Sequence, residues 1–124
     1  MKLKTILESR KRLTEEIVEP SEQIIKGLQK HLKLKTGIIV TLGLEKIKPT
    51  YAYYTCDLSK EIRTPVLQAL FSSMTLDVTC STIPNEIGGY AFSISINYTH
   101  PTGGSNGLSI GTIWYINGTW KSRF

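Results

Sequence analysis

Between Thr64 and Trp120 the chain carries only two charged side chains, Asp77 and Glu86, and through much of that stretch apolar and small polar residues alternate with a period of two. Such alternation sends successive side chains to opposite faces of an extended strand, so the stretch calls for a sheet with one apolar and one polar face. Leu76, Val78 and Cys80 point one way, against Thr75, Asp77, Thr79 and Ser81. Tyr90, Phe92, Ile94, Ile96 and Tyr98 oppose Ala91, Ser93, Ser95, Asn97 and Thr99 in the same manner. Antiparallel strands buried on one side fit this pattern. Gly88-Gly89 can close the hairpin between these two runs, and Asn117-Gly118 has the composition of a two-residue hairpin turn. In the last hairpin, Leu108, Ile110 and Trp114 form the expected apolar phase of the first strand. That counting puts Ile113 and Tyr115 on the polar phase, and the second strand carries Trp120. His100–Gly107 (HPTGGSNG) reads as a flexible loop.

The front of the chain obeys a different period. Residues 1–35 hold nine Lys/Arg against five Glu, and most of the chain's net charge of +5 sits there. Thr5 and Glu8 can form a capping box, with Leu3, Ile6, Leu7, Leu13 and Ile17 following at near-helical spacing, and Pro20 ends or kinks this helix near Val18. A second helix is expected from about Ser21, with Ile24, Ile25, Leu28 and Leu32 on one side and Lys26, Lys30 and Lys33 opposite. Gly37 can terminate it in the left-handed conformation, leaving Lys33 and Lys35 at the negative end of the helix dipole. Strands are then expected at Ile38–Leu42 and Thr50–Cys56. Thr64-Pro65 can open a short helix whose apolar face is Val66, Leu67, Leu70, Phe71 and Met74. The competing start at Ser59 would put Pro65 in a helix interior at a cost of about 3 kcal/mol.

The expected fold is therefore α+β: N-terminal helices and one short helix near 65–74, packed on one face of a five- or six-stranded antiparallel sheet. With 124 residues the chain is read as a single domain, a charged helical front (1–35) and a mostly β remainder (36–124). No run approaches the roughly 18 apolar residues of a membrane span, and the N-terminus lacks an uninterrupted apolar segment, so no membrane association and a cytoplasmic location are expected. Cys56 and Cys80 are 24 residues apart with no histidine near them in sequence, so no metal site and no cofactor are expected. Cys80, on the apolar phase, is read as a small buried hydrophobe.

Acid–base chemistry needs titratable groups convergent in one cleft, and the carboxylates here are either interleaved with Lys/Arg at helical spacing or scattered singly. No catalytic pair stands out. His31 is read as an exposed residue beside the lysine stripe. His100 heads the Gly-rich loop and carries the least favoured alternative, a small metal-independent hydrolase or nuclease. The Gly103–Gly107 stretch leads into a strand and not a helix, which disfavours a phosphate cradle.

Solvated strand faces ordinarily carry Lys and Glu, whereas protein contact surfaces are depleted in charge and hold Tyr and Trp. The polar phase here is almost free of charge. The leading expectation is accordingly a non-catalytic protein-binding module, in the manner of a small bacterial inhibitor, immunity or adaptor protein, that occludes a partner's surface or pairs with a second copy of itself. Its contact residues are expected to be Tyr51, Tyr53, Ser93, Ser95, Asn97, Tyr115 and Trp120. The second expectation is single-stranded nucleic-acid binding, with Lys26, Lys30, Lys33 and Lys35 supplying charge and sheet aromatics supplying stacking.

Overall fold

The structure, a computed structural model, describes residues 19–124. The helix expected between Thr5 and Val18 lies outside the described residues.

Helix α1 (Glu22–Thr36) begins and ends where local chemistry dictates. The Ser21 hydroxyl accepts a hydrogen bond from the Ile24 amide at 3.3 Å, and Gly37 stops the helix at φ 78°, its N–H donating to the Lys33 carbonyl at 2.9 Å. Ile25, Leu28 and Leu32 form the buried stripe, so the lysines on the other side of the helix face solvent. Among the described residues no helix is long and apolar enough to cross a membrane.

Six antiparallel strands follow, β1 (Gly43–Ile47), β2 (Ala52–Asp57), β3 (Ser73–Thr82), β4 (Tyr90–Thr99), β5 (Ser105–Ile116) and β6 (Thr119–Arg123). They form one sheet in the order β1-β2-β3-β4-β5-β6. Every strand neighbours the next in the chain, as short hairpin connections favour. The last turn is built by Asn117 and Gly118 at φ 50° and 78°, the two positive values a tight hairpin turn with right-handed strand twist requires. Helix α2 (Pro65–Leu70) sits in the crossing from β2 to β3. Thr64 caps it, its hydroxyl accepting from the Leu67 amide at 3.1 Å, with proline at the first position. Ser59 opens a separate 3-10 turn, Ser59–Glu61, which ends well before Pro65.

Three expectations shift. The β-branched run Ile38–Leu42 is not a strand of the sheet. Its alternation is real, since Val40 and Leu42 are buried between exposed neighbours, but it lies against α1, where the Leu42 amide donates to the Gln29 side chain at 2.8 Å. The edge strand begins one residue later, at Gly43. Helix α2 is shorter than its apolar spacing implies, none of its residues is buried, and Met74 belongs to β3. The loop after β4 is confined to His100–Gly104, closed by a hydrogen bond from the His100 amide to the Gly104 carbonyl at 3.0 Å, so Ser105–Gly107 are already strand.

Residues directly opposite on antiparallel strands share a face, so the pairing assigns the two sides of the sheet. Ala52, Cys80, Phe92 and Ile113 lie in one row, and Tyr54, Val78 and Ile94 in the next. This inner face, with Leu28 and Leu32 laid over it, is the core. Burial pushes the Cys80 thiol up to about 12, so it stays protonated and acts as an apolar side chain.

One irregularity decides the phase of the C-terminal hairpin. On β5 the partner of Ile94 is Gly111 while the partner of Ser95 is Ser109, so Ile110 is an extra residue, a β-bulge. A single inserted residue inverts the alternation beyond it. Leu108 therefore shares the inner face with Ile113 and Tyr115, and Trp114 points outward. Gly111, next to the bulge, lets the end of β6 come close, because a Cβ there would stand 2.5 Å from the Arg123 carbonyl oxygen and against the Phe124 ring.

Candidate functional site

The outer face of the sheet is a grid of small polar residues. Across β2 to β5 the rows read Asp57, Thr75, Asn97, Gly107; then Thr55, Asp77, Ser95, Ser109; then Tyr53, Thr79, Ser93, Thr112. A further row holds Ser81, Ala91, Trp114 and Lys121. Ser93 is exposed, and Thr79, Ser81, Ser95, Asn97, Thr112 and Trp114 are half-buried. Among the described residues, the apolar positions of α1 pack only on the inner face.

Asp77 is the exception within this grid, a carboxylate with only 7% of its surface exposed. Its oxygens accept hydrogen bonds from the Thr55 hydroxyl at 2.8 Å, the Thr75 hydroxyl at 3.4 Å and the Asn97 side-chain amide. Tyr53 is hydrogen-bonded to the same carboxylate, and its phenol is pushed up first by burial and then by the negative charge of Asp77. Asn97 can lie across the sheet because Gly107 stands opposite it. A Cβ on Gly107 would come within 2.5 Å of the Asn97 side-chain oxygen. Four neutral donors on three strands thus hold one buried negative charge, and among the described residues no cation forms an ion pair with it. Beside it Tyr51, Tyr53, Thr55, Thr75, Glu45 and Lys46 wall a shallow recess of about 460 Å³ with Asp77 at its floor.

Of the expected contact residues, Tyr51, Tyr53, Ser93, Ser95 and Asn97 fall on this outer face. Tyr115 and Trp120 do not. The bulge at Ile110 turns both to the inner face, where they pair with each other at 4.8 Å between ring centroids. Trp120 also stacks on Phe92 at 6.1 Å and on His31 at 5.9 Å, and it lies so close to α1 that a Cβ on Gly27 would meet its ring at 2.8 Å. Trp114, counted as apolar-phase in the sequence, takes the outward position.

His31 is accordingly not the exposed helix-surface residue expected. It is half-buried against Trp120, and its Nε2 is buried without a hydrogen-bond partner. Burial first, and the nearby Lys35 second, lower its pKa from the ordinary 6.5. The folded state therefore binds fewer protons than the unfolded chain once the pH falls below about 6.5, and stability drops with acidification until the lower native value is passed. Urea midpoints measured at about pH 7.5 and about pH 5.5 should show this loss in the wild type and a smaller loss in His31→Phe. Equal losses in both proteins would show that the imidazole is not its source.

His100 lies at the opposite end of β4 from the Trp120 cluster, so the two histidines do not converge. Its Nδ1 lies 3.3 Å from the Leu70 carbonyl and its Nε2 3.2 Å from the Asn106 side-chain amide. With Phe71 and Tyr98 against its ring, it clamps α2 and the turn to the sheet. Lys26, Lys30, Lys33 and Lys35 are exposed, Lys26 beside Glu22 at 3.6 Å. Lys26, Lys30 and Lys33 stand on the side of α1 opposite its buried stripe, Lys35 lies beside His31, and Tyr51 and Tyr53 are on the outer face of the sheet, away from the helix. No group of three or more His, Cys, Asp or Glu residues able to hold a metal ion occurs among the described residues. No protein-family model, curated protein or solved structure matches this chain.

Proposed function

We propose that this chain is a non-catalytic protein-binding module, of the inhibitor, immunity or adaptor kind, whose contact surface is the outer face of β2 to β5. The observation that carries the proposal is the composition of that face. It is a broad sheet surface of serine, threonine and asparagine, with tyrosines at one side and Trp114 at the other, and its one central charge is already turned into the protein by hydrogen bonds. Contact surfaces differ from ordinary surface in this way, with charge depleted at the centre and aromatics retained.

The edges of the sheet support a face-on contact over strand addition. Edge strand β1 carries a register shift at Glu45, contains Lys46 and is followed by Lys48, while edge strand β6 presents Lys121 and Arg123. Charges and irregularities at these positions discourage another strand from pairing there.

Ser81→Lys with Ser93→Lys places two charges on the outer face, Ser93 one row and Ser81 two rows from the row of Asp77. The double variant is expected to keep the urea midpoint within about 1 kcal/mol of the wild type, since surface substitutions rarely cost more. It should lose self-association in sedimentation and lose whatever protein co-purifies stoichiometrically with the tagged chain. Retention of every wild-type assembly would overturn the proposal. Nucleic-acid binding is the second reading, favoured by one observation the sequence did not offer: Trp114, Lys121 and Arg123 meet on the outer face at the β6 edge. It requires affinity to fall steeply with salt and to be lost in Lys121→Glu with Arg123→Glu. An affinity flat in salt removes it.

A further inference from the structure

We infer that the recess around Asp77 receives an arginine side chain of the partner protein. The inference rests on the reading of the outer face as a contact surface and names the chemistry the partner must bring there.

Asp77 is more than nine-tenths buried, yet its negative charge is answered only by the neutral donors Tyr53, Thr55, Thr75 and Asn97. On a wet surface the remaining water and these donors suffice. A partner that covers the face strips that water away, and a carboxylate enclosed without a cation is strongly unfavourable. Lys46 lines the same recess but forms no ion pair with Asp77. A cation brought by the partner supplies the compensating charge.

The walls select which cation. Tyr51 and Tyr53 offer ring surface, Asp77 and Glu45 offer carboxylates, and a flat guanidinium satisfies both kinds of wall at once, stacking on rings while donating in its plane. The contact from Thr75 to Asp77, at 3.4 Å, is longer than that from Thr55 at 2.8 Å, and it is the one that a guanidinium N–H can replace. Access is open on the β1 side. Gly43 pairs with Thr55 in the row that contains Asp77, and a Cβ on it would find nothing nearer than the Thr55 carbonyl at 3.9 Å. A larger side chain at position 43 therefore obstructs the approach without straining the strand.

The test is a titration of the full-length protein with N-acetyl-arginine methylamide, followed by backbone amide resonances, beside the citrulline analogue of equal shape and no charge. The arginine probe is expected to move the resonances of Tyr53, Thr55 and Asp77 at millimolar concentration, and citrulline is not. Asp77→Asn and Gly43→Leu should each weaken the response by about tenfold or more, as expected for loss of a charge-assisted contact or of access to it. Gly43→Leu leaves the carboxylate network intact and so decides the matter even if Asp77→Asn fails to fold. An equal response to citrulline, no response to either probe, or an undiminished response in Gly43→Leu would overturn the inference. Its failure is distinguishable from failure of the contact-surface reading. If Ser81→Lys with Ser93→Lys abolishes assembly while the arginine probe is ignored, only the assignment of the cation falls. If the probe binds while those lysines change no assembly, the contact surface falls.

Discussion

Ile113→Lys is expected to abolish the cooperative unfolding transition, while Trp114→Lys, one residue later, costs about 1 kcal/mol. Ile113 has no exposed surface and lies in the row of Phe92 and Cys80 beneath α1, so an ammonium placed there is buried among apolar groups with no partner. That cost exceeds about 4 kcal/mol, a large share of what holds a domain of this size together. Trp114 is half-buried on the outer face, opposite Ala91 and Lys121, where an added lysine keeps its water. Circular dichroism against urea checks both. The pair also tests the bulge, because an uninterrupted alternation through β5 demands the reverse order of severity.

Phe92→Ala should lower stability by about 4 kcal/mol, and Phe92→Leu by about 1 kcal/mol. Phe92 is fully buried and touches both layers, with Tyr90 at 6.2 Å and Trp120 at 6.1 Å between ring centroids and α1 above the same cluster. Truncation leaves a cavity under the helix that the hydrogen-bonded strands cannot close, whereas leucine fills most of it. A shift in urea midpoint at unchanged slope is the expected signature. A loss for Phe92→Ala no larger than that for Phe92→Leu would mean that the helix settles into the gap.

Both experiments bear on how much of this protein was legible beforehand. The α+β class, the strands β2 to β6, the start of α1 near Ser21 and its stop at Gly37, the opening of α2 and the turn at Asn117-Gly118 were readable, whereas the edge strand β1 was expected at Ile38–Leu42, just before its actual place. So was the presence of Tyr51, Tyr53, Ser93, Ser95 and Asn97 on one sheet face. Counting the alternation straight through Ile110 puts Tyr115 and Trp120 on that face as well, and the bulge there reverses the count. The sequence near the bulge does carry a signal, since Gly111 lies within a strand pattern, where glycine marks bulges and close backbone approach. Gly107 is a second such case. It reads as part of a loop, and its role emerges only with Asn97 lying opposite.

Capping hydroxyls, a left-handed glycine and a primed turn are settled by atoms within about four residues of one another, so the amino-acid order alone was enough to determine them. Period two likewise reports which side chains are apolar together. It does not report which element covers them. That Val40 and Leu42 lie on a helix, that His31 rests on Trp120, and that Asp77 gathers donors from three strands depend on contacts between distant parts of the chain. Which of several compatible neighbours each residue acquires is decided by how the whole sheet closes its core, and that only the tertiary structure could decide.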